Sequence, residues 1–372
     1  MKKLNLFAVT ALATMTSLLY AADPPSTAST KDYQGIYCLC NVQTTQASLP
    51  PLSGSILQSS TVSGFALRAY WSAIEPTKGV YNWSDFDQNL AIAEANNKNV
   101  SLSVTPGVVS PAWVISEGAK YINIAAGTTR ANMPLPWDAT YQKELSTFIQ
   151  AEAARYDGDT NVSYVTMGGP GAGIETFLIT NQTDYNTFAA AGGLPQWITG
   201  AEAIIDMYGS AFKKTPFVLA MGNPIQNVPS ENAAGQSALE QVVAYGLAKY
   251  PGRFILATHG LSATSLKTNT ANYWMYQLIM ENSATSPVGF QMINAATNGP
   301  TYPANVSVGN LTTAVSNGIQ MGAQFIEVYP SDCLNSAYTT MLQSSKLIWT
   351  ELNSAGGAKL PADLFSKINA FD

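Results

Sequence analysis

Charge is scarce in this sequence: Asp, Glu, Lys and Arg make up only 11% of the 372 residues, against roughly 25% in a typical soluble domain. Asn, Thr, Ser and Ala take the surface positions instead, a usage that suits an exported protein. The formal charge is −6 and becomes −8 without Lys2 and Lys3, and no Lys/Arg cluster is present, so nucleic acid is excluded as a partner. The chain has a single histidine, His259. Any Ser-His-Asp or Cys-His catalyst would have to run through it, and no G-x-S-x-G elbow accompanies it. A G-x-x-x-x-G-K-[ST] loop and a strand-linked G-x-G-x-x-G are also missing, which removes nucleotide chemistry. With 3 cysteines and one histidine a metal site lacks ligands, and no cofactor is expected. Cys38 and Cys40 share one face of a predicted strand, while Cys333 lies far along the chain. Two arrangements stand: a bridge from Cys333 to Cys38 or Cys40, or buried free thiols.

Long apolar runs are confined to the start. Lys2 and Lys3 precede the uncharged run 4–20, followed by Ala21, Ala22 and Asp23-Pro24-Pro25, the plan of a secretory signal peptide over 1–22. Leu19 or Tyr20 occupies a cleavage position where a small residue is preferred, and the competing reading is an uncleaved anchor. No later segment reaches about 18 apolar residues. The expectation is a mature chain 23–372, soluble, without membrane contact, placed in the periplasm or outside the cell. Residues 24–30 read as a flexible leader.

What the sequence does hold is a regular alternation. Short apolar, β-branched runs closed by Gly, Pro or Asn occur at 34–40, 64–70, 99–105, 162–167, 216–221, 253–258, 288–294 and 323–329. Helical patterns fill the intervals at 83–96, 139–154, 194–212, 237–249, 272–282 and 311–321, with 338–352 after the last strand and a weaker one at 52–60. Eight buried strands alternating with helices predict an α/β fold, a single-domain (β/α)8 TIM barrel. An open doubly wound sheet is the competitor, because periodicity does not show closure. Residues 107–161, without a core-like strand, read as a decorated loop after the third strand.

In such barrels functional side chains sit at the C-terminal ends of the strands. Those ends offer Asn41, Arg68 with Trp71 and Glu75, Pro106, the turn 168–175, Asn223, His259, Gln291 with Asn294, and Glu327 with Tyr329 and Asp332. Of 12 glutamates only Glu75, Glu175 and Glu327 lie near such ends. Two carboxylates across a barrel mouth, with aromatics and amides around them, match the needs of glycosidic bond cleavage: one protonates the leaving oxygen, the other attacks or activates water. Sugar rings stack on aromatics and their hydroxyls bond to Asn, Gln, Asp and Arg, and the chain has 7 Trp and 18 Tyr.

Arg68, Trp71, Ile74-Glu75-Pro76, Gly79, Tyr81 and Trp83 follow the pattern R-x-x-W-x-x-I-E-P-x-x-G-x-Y-x-W. This stretch resembles the second-strand region of (β/α)8 glycoside hydrolases, especially β-galactosidase-like and cellulase-like members of the large retaining clan. Val104-Thr105-Pro106-Gly107 and Ser110-Pro111-Ala112-Trp113-Val114 resemble the third strand and its P-x-W loop. The resemblance implies that Glu75 belongs to a structural turn and that the acid/base glutamate follows the fourth strand, where Glu175 stands. Glu175 departs from the common Asn-Glu form, with glycines and a proline between it and the strand. The clan's nucleophile follows the seventh strand; here that position offers Gln291 and Asn294, and Glu327 falls on the eighth.

The expectation is a secreted glycoside hydrolase that cleaves O-glycosidic bonds of a polysaccharide or oligosaccharide by a two-carboxylate mechanism. Glu175 is the expected proton donor and Glu327 the expected nucleophile. Arg68, Trp71, Trp113, Asn223, His259, Gln291, Tyr329 and Asp332 are the expected sugar contacts. The competing expectations are an internal ion pair between Arg68 and Glu327, core positions for Trp71 and Trp113, and an inactive barrel that binds a carbohydrate or a cell-envelope component.

Overall fold

The computed structural model describes residues 33–40, 49–169, 178–270, 272–297 and 307–354. The predicted leader 1–22, Asn41 and Glu175 lie outside these. Among the described residues no helix is long and apolar enough to cross a membrane.

Ten strands form in chain order: β1 (Gly35–Cys38), β2 (Gly64–Tyr70), β3 (Asn99–Thr105), β4 (Tyr121–Ala126), β5 (Thr129–Pro134), β6 (Val162–Thr166), β7 (Phe217–Ala220), β8 (Phe254–Leu261), β9 (Val288–Met292) and β10 (Ala323–Val328). Eight of them close a barrel in the order β1-β10-β9-β8-β7-β6-β3-β2, all neighbours parallel. This is the (β/α)8 barrel, and the open sheet is ruled out. All eight predicted runs are barrel strands. They suit a parallel barrel because each is buried on both faces, one toward the barrel axis and one toward the helices.

The loop after β3 holds more than sequence reading expected. β4 and β5 form an antiparallel hairpin, with Ala126 facing Thr129 across the two-residue turn Gly127-Thr128. Gly127 takes φ 61°, a positive value that two-residue hairpin turns require. The predicted helix at 52–60 is a single 3-10 turn, Ser55–Gln58. It follows Gly54, whose φ of 80° lies outside the helical region, and runs at once into serines that compete for backbone hydrogen bonds.

Two apolar clusters reflect the two faces of the strands. The larger fills the space between strands and helices and includes Ile36, Cys38, Leu67, Ala69, Leu102, Val104, Phe290, Met292, Ile326 and Val328. The smaller plugs the barrel with Tyr37, Tyr164, Val218, Ile255, Ala257 and Phe325. The Tyr164 ring stacks on Phe325 at 4.2 Å between centroids, and the Tyr37 hydroxyl donates to Ser163 Oγ at 2.7 Å. Gly289 of β9 makes room for this plug, since a Cβ there would enter the Phe325 ring.

Helix Ala139–Tyr156 buries Tyr141, Glu144, Leu145, Phe148, Ile149, Glu152, Ala153 and Tyr156, a stripe with the 3.6-residue period, in which Glu144 is paired with Lys78. Asp138 caps its start, accepting from Tyr141 N–H at 3.0 Å. Glu152 is the anomaly of the stripe: it is 1% exposed, one carboxyl oxygen has no hydrogen-bond partner, and burial raises its pKa from 4.5 to about 8. All three cysteines are free thiols.

Candidate active site

Strand parity decides which polar groups enter the barrel. Leu67 and Ala69 face the helices, so Arg68 points inward; by the same alternation Ser103, Gln291 and Glu327 do too. All four lie in the C-terminal halves of their strands, beneath the mouth.

Glu327 is 3% exposed, and an acid buried there needs partners. Arg68 Nη2 donates to its Oε2 at 3.0 Å, and the Tyr164 hydroxyl donates to its Oε1 at 2.9 Å. The same Arg68 nitrogen also donates to Gln291 Oε1. Burial and the Glu327 charge push the Tyr164 phenol well above the ordinary tyrosine value, so Tyr164 stays protonated and remains a donor. Tyr329, half-buried just past β10, is likewise raised by burial, with Arg68 pulling against it and Gln291 within hydrogen-bonding reach. The result is one carboxyl group, held by a guanidinium on one oxygen and by a phenol on the other, at the floor of the barrel mouth. Such a group can act as a nucleophile or as a base toward water.

The fourth and seventh barrel strands end differently. At the end of β6, a Cβ on Gly168 would collide with the Pro106 ring and the Val104 carbonyl. Gly169 takes φ 116°, which L side chains avoid. The turn favours glycine at both positions, and the first acid after it in the sequence is Glu175. β9 presents the Gln291 amide and Met292. The strand count from sequence therefore stands, and Glu327 is on the eighth barrel strand.

Several expected sugar contacts are structural instead. Trp71 is 0% exposed, packs against Trp113, Tyr141 and Phe148, and donates to Glu75 Oε2 at 2.7 Å; it has no open face. Trp113 belongs to the same unit, donating to the Glu75 carbonyl at 3.1 Å under Lys78. Glu75, accepting also from Gly79 N–H at 2.8 Å, clamps the turn as the resemblance implied. Asn223 accepts from Ile225 N–H at 2.9 Å and donates to Asn232, bracing the loop after β7. His259 stands half-buried on β8. Asn294 is fully buried and accepts from Ala295 N–H at 2.9 Å.

Asp332, proposed from sequence as a contact, is 0% exposed. Its oxygens accept from Ala296 N–H at 2.8 Å, Thr297 N–H at 2.7 Å and the Thr297 hydroxyl at 2.6 Å. It ties the loop after β9 to the segment after β10 and, with no exposed surface, is out of reach of a sugar. Asp332→Ala is expected to cost at least about 2 kcal/mol, because it leaves two backbone donors unpaired; the urea midpoint measures it.

Sequence reading missed Tyr164 and Ser103. Tyr164 carried a signal, a tyrosine in a valine-rich strand, but nothing local pointed to its partner. Ser103, the register partner of Arg68 on β3, is buried with a hydroxyl lacking a hydrogen-bond partner.

Residues 56–168 match the family model of glycoside hydrolase family 42, described as Beta-galactosidase. The match spans β2 to the end of β6 and shows the resemblance read from Arg68 to Trp83. No curated protein matches the chain. Three solved β-galactosidases share the fold. That of the psychrophilic Marinomonas ef1 has a TM-score of 0.53 at 12% identity, covering 89% of this chain and 62% of its own. That of the Antarctic haloarchaeon Halorubrum lacusprofundi has 0.52 at 10%, covering 85% and 58%. The cold-adapted enzyme of Rahnella sp. R3 has 0.53 at 11%, covering 92% and 60%. The chain thus spans about three-fifths of the length of these structures.

Proposed function

We propose that this (β/α)8 barrel is a glycoside hydrolase of the β-galactosidase type, acting outside the cytoplasm on a galactoside or a related oligosaccharide. The observation that carries the reading is Glu327, buried at the barrel mouth and held by Arg68 and Tyr164. The family match over 56–168 supports the substrate class, and the signal-like residues 1–22 support the location.

In this reading Arg68 and Tyr164 hold one oxygen each of Glu327 and fix the direction of its lone pairs. Oε1 or Oε2 attacks the anomeric carbon, or takes a proton from a water that does. Glu175 follows β6 in the chain and protonates the leaving oxygen. Gln291, Tyr329 and His259 meet the sugar hydroxyls. If the two carboxyl groups stand about 5 Å apart a covalent glycosyl-enzyme forms and configuration is retained; at roughly 6.5–9.5 Å water enters and it is inverted.

A second reading has an observation in its favour. Among the described residues the ends of β6 and β9 carry no carboxylate, as expected of a barrel that binds a glycan or cell-envelope component without cleaving it. Hydrolysis of a nitrophenyl glycoside panel by the mature chain, with the β-D-galactoside first, separates the two. Turnover that collapses in both Glu175→Gln and Glu327→Gln, each confirmed folded, is the expected result, and proton NMR of the released anomer gives the stereochemistry. Sugar binding without turnover, unchanged in both variants, would replace the enzyme with the binding barrel.

A further inference from the structure

The three cysteines, more than 290 residues apart in sequence at the extremes, meet at the C-terminal end of β1. Cys38 is the last residue of that strand and pairs in register with Val328 of β10. Leu39 N–H makes a further bond to Val328 O at 2.9 Å, and Cys40 N–H then folds back onto the Cys38 carbonyl at 3.0 Å. This three-residue turn brings the Cys40 and Cys38 sulfurs to 3.4 Å. Cys333, on the short helix Pro330–Cys333 after β10, donates its thiol to the Val328 carbonyl at 3.7 Å. Hydrogen bonding to Cys333 and Cys40, followed by burial, pushes the Cys38 thiol well above its ordinary value.

The three thiols are not equivalent. Cys38 and Cys333 are buried, and Cys40 is half-buried, so a reagent from solvent meets Cys40 first. Cys38 stands directly behind it, held protonated and at contact distance. Nothing in the barrel's hydrolytic chemistry uses this arrangement. A bond across three residues also constrains the unfolded chain little, so it would not act as a staple.

We propose that Cys38 and Cys40 form a reversible dithiol–disulfide couple that reacts with low-molecular-weight disulfides, Cys40 as the attacking thiol and Cys38 as the resolving one. In the first step the Cys40 thiolate, its proton lost to solvent, attacks one sulfur of the small disulfide. A mixed disulfide forms and one small thiolate leaves. In the second step Cys38 loses its proton and attacks Cys40 Sγ, expelling the second small thiolate. Two protein thiols are oxidised to one disulfide and the small disulfide is reduced to two thiols. Cys333 remains reduced on the Val328 carbonyl. The couple adjoins Tyr37, the register partner of Glu327, so its redox state is set at the rim of the candidate active site. The inference does not depend on how Glu327 is used.

The test is incubation of the full mature chain with glutathione disulfide at pH 8, an acid quench, alkylation in denaturant and peptide mapping. The expected product has lost two hydrogens, carries an internal bond between Cys38 and Cys40, has Cys333 alkylated, and reverts with dithiothreitol. Cys333→Ser is expected to oxidise as the parent does, and Cys38→Ser, if folded by circular dichroism, to retain one glutathione on Cys40. Three alkylated thiols after treatment, a Cys38–Cys333 bond, or glutathione held on Cys40 of the parent chain would each overturn the proposal. The map of the unmutated chain decides between these outcomes even if a variant does not fold.

Discussion

Glu327→Gln is expected to lower kcat/KM by at least about 10³-fold, roughly 4 kcal/mol of transition-state stabilisation. The amide keeps the shape of the carboxyl group. Its oxygen can still accept from Arg68, and its NH2 can donate to the Tyr164 hydroxyl, which is able to switch from donor to acceptor. What disappears is the carboxyl oxygen that, in the proposed mechanism, attacks or withdraws a proton. Arg68 is then a buried cation without its counter-ion, and removing one partner of such a pair costs about 3–5 kcal/mol in stability. Activity must therefore be measured well below the variant's melting temperature, with circular dichroism on the same sample. A small nucleophile separates the chemical role from the structural one. Azide supplied to Glu327→Ala is expected to restore turnover and to yield a glycosyl azide of inverted configuration if Glu327 is a nucleophile. A variant that keeps the parent rate, or loses it only in proportion to the unfolded fraction, removes Glu327 from the chemistry.

Glu152→Gln is expected to raise stability, and to raise it more as the pH increases. Burial holds the native carboxyl at about 8 instead of 4.5, so between these values the native chain keeps a proton that the unfolded chain has released. Native protein then binds more protons, and its stability falls as pH rises from about 5 to about 8, after which the loss is complete. The full loss is on the order of 4 kcal/mol, and with the side chain 1% exposed solvent screening does not reduce it. Glutamine is neutral throughout, so it avoids this cost. Urea midpoints for both proteins at pH 5 and pH 8 are expected to diverge, the variant being several kcal/mol ahead at pH 8 and nearly level at pH 5. An equal difference at both pH values would mean that Glu152 ionises without penalty and that its burial has been misread.

The eight barrel strands were legible because each is a short, buried, β-branched run with a breaker at its end. The hairpin was not. β4 and β5 lie outside the barrel and carry Asn, Thr, Ala and Arg, with Ile122, Ile124, Met133 and Pro134 buried among their apolar residues. Glu327 stood out as an acid inside an apolar strand, and its pairing with Arg68 was one of two readings the pattern allowed. Trp71, Asn223 and Asp332 were misassigned for a common reason. Lying at the end of a strand places a residue near the mouth, but whether its side chain enters the mouth or braces a loop depends on neighbours that local pattern does not name.

Period, breakers and composition are local quantities, and they were enough to determine the βα alternation, the positions of the eight barrel strands and the presence of one isolated acid on the last of them. Only the tertiary structure decided what that acid touches. Tyr164 and Arg68 reach Glu327 from 163 and 259 residues away, and the last strand becomes a neighbour of the first only when the sheet closes. A buried charge is tolerated or excluded by the groups within a few ångströms of it, and those groups are chosen by closure of the barrel, which no local stretch of sequence encodes.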